Sequence, residues 1–399
     1  MQNMRVDIFP KGSTFLNSDG TFDLDSALLY SAKIAGICRS EEGMKKVLNE
    51  DEIKTRKRLN GLLKKEELSM FDHVSIIFYM QNMPKILNMF LNNEQDYATT
   101  EKSLRYVALD NQDKTLVSEK ELHLYNKWKE ILEEKINEEY GLDLPALTIR
   151  TKAQENARYL VSVFIPTDMI HTLSLRQVNK IAKYMEDYIE LANREDYFEA
   201  KTAASMEKFL SELTRLNVLD RRLMVNEDKN FSLMGNPEEK EVFFNKDSYS
   251  QTYKGSFVYL GHVERHRTLK YEAARMKEPE FFVPPIIEGD TFLTREWKDD
   301  ISGVENLVPQ GELLLINEFG TLENLIQKAK QRNCSRAQLE TMRRTFTLLK
   351  DYEQAMRKKE NPIYKFIDQY TRGMACTFPE FECKEPCKFK EGILGTRKI

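Results

Sequence analysis

Two stretches decide how this chain is read: Val258-Tyr-Leu-Gly-His-Val-Glu-Arg265-His266-Arg267-Thr-Leu-Lys-Tyr-Glu272, and Asn92-Asn-Glu-Gln-Asp-Tyr-Ala-Thr-Thr-Glu-Lys-Ser103-Leu104-Arg105-Tyr106. Taken singly, Arg-His-Arg in a helical stretch is the usual pattern of a solvated face, and Ser-x-Arg says less still. Their surroundings carry more. Before Ser103, His73 to Met80 is β-rich, and Pro84 can open a helix through Leu91, because proline is tolerated in a first turn. A charged amphipathic helix follows over Leu116 to Glu139, then strand composition over Val161 to Leu173 and a long helical region from Leu175 towards Leu219. The order then recurs. Ser256 to Leu260 is strand-like, Val263 onward is helical, and Glu312 to Asn317 is strand-like again. Helices are expected over Leu322 to Gln331 and Arg336 to Arg357, with Pro362 opening a last one. The pattern predicts an α+β fold in which strand, helix, spacer, strand and long helices occur twice.

Asn226 to Glu239, with its Met-Gly-Asn-Pro, is the expected linker, since glycine and proline both break regular structure. It sets domains at 1–225 and 241–399, with 226–240 between them. At the N-terminal end, Asp25 to Cys38 reads as a helix with Asp23 or Asp25 as its cap, and Glu50 to Leu68 as a second, charged one. No Gly-rich βαβ fingerprint points to a Rossmann domain.

A length of 399 residues allows two or three domains with substantial cores. Sixty basic residues against 64 acidic ones leave a formal charge of −4, which argues against nucleic acid as a partner. No apolar run approaches the roughly 20 residues of a membrane span, and the first residues lack the apolar core of a signal peptide. Five cysteines, sparse and odd in number, suit a reducing compartment, so a cytoplasmic protein is expected. Cys376, Cys383 and Cys387 lie in a tail crowded with Lys384, Lys388 and Lys390. The spacing is looser than that of zinc sites and no histidine is near, so no metal is expected there.

The two opening stretches together resemble one continuous signature of the flavin-dependent thymidylate synthases: Arg-His-Arg, seven residues, then Ser-x-Arg. Counting back twelve from Arg105 places Asn93-Glu94-Gln95 where the triplet should stand, and counting forward from Arg265 places Arg275 and Lys277 at the serine and final arginine. A second family signature is split in the same way. Glu155-Asn156-Ala157-Arg158 and Arg176 occur in the first half, with Met185 at its third arginine position. In the second half, Val308-Pro309 sets the register, and the corresponding positions are Glu305, Glu323 and Arg332. From Arg332, the run to Ala337-Gln338-Leu339-Glu340 is similar to the family's closing motif, Arg-x4-Ala-Gln-x-Glu. Independent decay would erase positions without regard to the other copy. Complementary losses instead imply two tandem copies of the family's domain, a central antiparallel sheet with long helices, sharing one composite site.

The resemblance implies the rest. Deoxyuridylate (dUMP) would be reductively methylated to thymidylate, with methylenetetrahydrofolate supplying the carbon and NADPH the electrons through FAD. Catalysis would rest on positioning and electrostatics, for which arginine is suited by its permanent charge and bidentate grip on phosphate. Arg105 and Arg158 would hold the nucleotide, Ser103 would orient it, and Arg332 would polarise the pyrimidine. Arg265, His266 and Arg267 would carry the flavin, assisted by His73 and Arg176. His262 reads as structural or a minor site residue, and His123 and His171 as ordinary. A homodimer would mimic the family's tetramer. Two alternatives stay open: a pyrimidine nucleotide hydroxymethylase on the same scaffold, and a non-catalytic relative that binds nucleotide or serves assembly.

Overall fold

The computed structural model describes residues 4–94, 96–103, 105, 109, 117–225, 233–383, 387 and 396–399. Part of the expected linker, 226–232, and the tail lysines Lys384, Lys388 and Lys390 lie outside them. The chain forms two compact units: Met1–Lys102 with Pro166–Phe231, and Ser103–Ile165 with Ser232–Ile399.

In the first unit, β1 (Arg5–Ile8), β2 (Ser75–Pro84), β3 (Ala98–Glu101) and β4 (Pro166–Ser174) make an antiparallel sheet in the order β1-β2-β4-β3. Along β2 the alternate residues Ile76, Phe78 and Met80 are buried, the period of a strand with one face on a core. Its helices are α1 (Leu24–Ala35), α2 (Met44–Leu48), α3 (Glu52–Lys64) and α4 (Lys85–Asn93), then α7 (Leu175–Leu191) and α8 (Tyr197–Arg215). Asp23, Asp51, Ser174 and Asp196 cap α1, α3, α7 and α8 by accepting from free backbone N–H groups of the first turns.

In the second unit, β5 (Phe243–Phe244), β6 (Ser248–Ser256), β7 (Lys270–Arg275) and β8 (Leu313–Thr321) pair antiparallel in the order β5-β6-β8-β7. Helices α5 (Glu119–Tyr140) and α6 (Ala146–Ala157) belong here, with α9 (Phe257–Val263), α10 (Thr291–Ser302), α11 (Leu322–Arg332), α12 (Leu339–Lys358) and α13 (Tyr364–Asp368). Residues 103–165, counted with the first copy from sequence, thus pack in the second unit. The cause is the apolar face of α5: Trp128, Leu132 and Ile136 are buried in one cluster with Trp297 and Ile301 of α10. The two indoles meet edge-on at 4.9 Å.

The sheets repeat one plan. Helices α4 and α9 begin at Lys85 and Phe257, and β3 and β7 at Ala98 and Lys270, an offset of 172 in both cases. The 3-10 turns at Arg158 and Glu305, strands β4 and β8 at Pro166 and Leu313, and helices α7 and α11 at Leu175 and Leu322 are all offset by 147. Strand pairing agrees, Ala98 facing Thr172 as Lys270 faces Phe319. The first sheet departs only by a bulge between Met80 and Met83, where Asn82 has a φ of 53°. A bulge adds one unpaired residue and displaces the register beyond it.

Two expectations from sequence need correction. Phe257-Val258-Tyr259-Leu260, read as strand from its composition, is helix α9. It is capped by Ser256 and buried on nearly every side, so apolar content alone could not separate the two. Arg265 and His266 then lie in the turn after α9 and not on a helix, with β7 beginning at Lys270. Helices α6 and α10 were not anticipated.

The core of the second unit holds a polar cluster. Lys328 on α11 donates to both oxygens of Glu318 at 3.0 and 2.8 Å, and neither side chain is exposed. Tyr249 (2.6 Å) and Tyr253 also donate to Glu318. Removing one partner of a buried pair strands the other's charge, at a cost of roughly 3–5 kcal/mol. Lys328→Met should therefore destabilise the protein by about that much in urea unfolding, and Lys328→Met with Glu318→Gln should recover most of the loss.

Candidate functional site

The site is built around the bridge between α11 and α12 in the second unit. Arg332 is the last residue of α11, and Gln338 precedes the first turn of α12. Two histidines hold the Arg332 guanidinium. Nε donates to Nε2 of His266 at 2.6 Å, and Nη1 lies 2.9 Å from Nε2 of His262. Nη2 donates to the His262 carbonyl at 3.3 Å. A permanently charged guanidinium can only donate, so both imidazoles must be neutral with Nε2 as acceptor. The Nδ1 proton of His262 then goes to Oγ1 of Thr341, 3.1 Å away. Electrostatics agree with the geometry. Burial lowers the pKa of His266 to about 2, helped by Arg332 and Lys328. Burial followed by Arg332, Arg105, Arg158 and Arg265 pushes His262 well below the usual histidine range. Those four arginines therefore share one neighbourhood. Among the described residues no carboxylate forms an ion pair with Arg332, whose pKa falls to about 10 through burial and then Arg265 and Arg105.

One carboxylate answers part of this charge. Glu155 on α6 is buried and receives Lys152 at 3.2 Å and Arg105 at 3.3 Å. Burial would raise its pKa, but Lys152, Arg105 and Arg158 hold it at about 2. Burial likewise takes Lys152 down to about 8. Arg105 also donates to the carbonyl of Arg336 at 2.8 Å, and its backbone N–H reaches Ser103 Oγ at 3.3 Å. Arg158 donates to Gln338 Oε1 at 3.1 Å, and Gln338 in turn donates to the Tyr159 hydroxyl. Tyr159 donates to Glu340 at 2.8 Å, and Ser256 does so through both its N–H and its hydroxyl at 2.8 and 2.6 Å. Gln338 and Glu340 thus tie the turn at Arg158 to the start of α9.

Of the residues proposed from sequence, the second unit brings together Ser103, Arg105, Arg158, Arg265, His266 and Arg332. Arg267 is exposed two residues beyond Arg265. His73 and Arg176 belong to the first unit. There His73 is exposed at the end of a 3-10 turn, and Arg176 pairs with Asp72 at 3.1 Å. Sequence reasoning undervalued His262 and gave no role to Gln338, Glu340, Tyr159 or Glu155. The signal for the first was available in the four-residue spacing of His262 and His266, which on the helix expected there would face one partner. Cys376 and Cys383 are exposed. Among the described residues no helix is long and apolar enough to cross a membrane.

Residues 25–191 match the family model described as thymidylate synthase complementing protein. Over that segment, which is less than half of the chain, the sequence is similar to this family. No curated protein matches the chain in sequence. Among solved structures, the chain is similar at 14% identity to the UMP/dUMP methylase PolB from Streptomyces cacaoi bound with 5-Br dUMP, with a TM-score of 0.33 and coverage of 56% of this chain and 93% of that one. A second is thymidylate synthase X from Helicobacter pylori with FAD and dUMP, also at 14% identity, with a TM-score of 0.30 and coverage of 56% and 96%.

The neutral histidines give this protein a pH signature. The unfolded chain takes up protons below the ordinary histidine value of 6.5, while folded His266 does not until about 2. Its contribution to stability is therefore complete above pH 6.5 and is lost as pH falls, by about 1.4 kcal/mol per pH unit. His266→Gln keeps an acceptor for Arg332 and removes the titration. Unfolding free energies measured from pH 5.5 down to 4 should fall less steeply in this variant than in wild type, by about that slope.

Proposed function

We propose that this protein reductively methylates dUMP to thymidylate, at a nucleotide site assembled inside its second unit. The observation that carries this reading is the convergence of Arg105, Arg158, Arg265 and Arg332 on a site with Glu155 as its buried carboxylate partner. Guanidinium groups gathered in excess of carboxylates focus a positive field that attracts an anion. A nucleotide monophosphate supplies a dianion and an electron-rich pyrimidine. Arg105 and Arg158 hold the phosphate, and Ser103, next to Arg105, orients it. Arg332 faces the pyrimidine, where it stabilises negative charge developing on a uracil carbonyl as C5 becomes nucleophilic. His262 and His266, held neutral, fix the angle of that guanidinium without adding charge. That is positioning chemistry, and no covalent protein nucleophile is required.

The residues also suit FAD. Arg265 and exposed Arg267 offer cations to its diphosphate in the second unit. In the first unit, Arg176 lines a cavity of about 850 Å³ together with Arg39, Lys54 and Arg58. When bound, FAD supplies hydride transfer, with NADPH and methylenetetrahydrofolate as co-substrates. The protein's part is to hold the diphosphate through Arg265 and Arg267. His266, assigned to the flavin from sequence, is reassigned here to Arg332, because its Nε2 is already engaged.

The constant offsets of 172 and 147 support a tandem duplication in which one site was kept. Met185, at the position matching Arg332, is a buried core residue. Arg275, at the position matching Ser103, pairs with buried Glu312 at 2.7 Å. Glu305 and Glu323 stand where the first half has Arg158 and Arg176. The second site is thus filled with apolar and paired groups.

Losing one charged contact should weaken nucleotide binding by about 1.5–3 kcal/mol, or roughly ten- to a hundredfold. Calorimetry with dUMP should show that loss for both Arg158→Ala and Arg332→Ala, and binding near wild type in both would remove them from the site. Mass spectrometry of the product should find a methylated nucleotide. A hydroxymethylated one would shift the assignment to the alternative reaction on this scaffold. Growth without thymidine of cells lacking other thymidylate synthases, on introduction of this gene, tests the whole reading.

A further inference from the structure

We propose that Arg397 is a positioning residue of the nucleotide site, holding by its guanidinium the bridge that carries Arg332 and Gln338. This rests on the reading above for the identity of the nucleotide, but not for the geometry. The bridge, residues 333–337, joins a helix end to a helix start, where backbone carbonyls lack intrahelical partners. Cations saturate them. Arg397 donates to the carbonyls of Ser335 at 3.0 Å, Ala337 at 2.8 Å and Cys334 at 3.4 Å. Its side chain is wholly buried. Of the two remaining carbonyls of the bridge, that of Arg336 accepts from Arg105 and that of Asn333 from the Ala375 N–H at 2.7 Å.

The anchor is itself anchored. Arg343 on α12 donates to the Arg397 carbonyl at 2.9 Å. The Lys398 N–H donates to the Tyr140 hydroxyl at 3.1 Å, and its ammonium reaches Glu139 at 3.0 Å. Ile399 is buried in the cluster of Trp128 and Trp297. Arg397 is therefore fixed to α5 and α12 by contacts outside the bridge itself.

The arrangement divides labour between two arginines. Arg105 is assigned to the phosphate, so its hydrogen bond to the Arg336 carbonyl must be shared or released when nucleotide binds. Arg397 contacts three of the other carbonyls, none of them shared with the phosphate. It keeps Arg332 and Gln338 in place while Arg105 changes partner. Lysine cannot substitute, because a single ammonium lacks the planar fork that spans three carbonyls.

The test uses full-length protein with Arg397→Ala and Arg397→Lys. Hydrogen–deuterium exchange at 333–340 should be at least tenfold faster in Arg397→Ala, with β8 and α5 protected as in wild type. Calorimetry with dUMP should show binding weakened roughly ten- to a hundredfold, by the scale of charged hydrogen bonds. Arg397→Lys should fall between, and methylguanidinium added to Arg397→Ala should restore part of the binding. Unchanged exchange at 333–340 in a folded Arg397→Ala overturns the proposal. If Arg397→Ala fails to fold, Arg397→Lys decides: faster exchange confined to 333–340 supports the role, and a uniform or absent change overturns it. Wild type that does not bind dUMP sinks the functional reading alone, since the exchange result still decides whether Arg397 holds the bridge.

Discussion

An excess of buried positive charge is the constraint to which this site is built. Like charges brought out of water repel strongly, and each also loses hydration. The fold meets this with neutral acceptors. Arg332 is bonded to two imidazoles and a carbonyl, Arg158 to an amide, and Arg397 to three carbonyls. Hydrogen bonds of this kind engage the guanidinium groups without cancelling the charge, so the site stays electropositive towards a ligand. Glu155 is the exception, and its low pKa is the response to three cations around it.

Much of this was legible in the sequence, and the parts that were not have identifiable causes. The split between Ser103, Arg105 and Arg158 in one half and Arg265, His266 and Arg332 in the other could be read because motif spacing survives in a linear chain. The α+β class and most helices could be read from periodicity and, as at Asp23, from a cap. Helix α9 could not, because a helix buried nearly all round loses its amphipathic period. The membership of residues 103–165 in the second unit was also hidden. Strand order within the first sheet is compatible with any excursion between β3 and β4, and only the packing of Trp128 fixes where that excursion goes. Arg397 was invisible for a similar reason: its partners are backbone carbonyls about 60 residues away, which leave no trace in side-chain pattern.

The two sheets also show how one backbone plan carries different interiors. The offset of 147 pairs Glu318 with His171 and Lys328 with Ile181. Where the second unit buries an ion pair among tyrosines, the first buries a histidine stacked on Tyr97 at 4.9 Å, its pKa taken down to about 3 by burial. Both solutions leave the strand register intact, because register is fixed by the backbone ladder and the buried face rather than by any one side chain.

The excursion of residues 103–165 out of the first sheet has a consequence for how the polypeptide can be divided. A gene fragment starting after the linker would encode β5 to β8 but lack α5 and α6, and so would expose Trp297 and Ile301 to water. A fragment stopping before it would encode α5 with an apolar face that has lost its cover. Each fragment would expose apolar surface that the other covers in the whole chain, so the middle segment meets Trp297 and Ile301 only after α10 has been made.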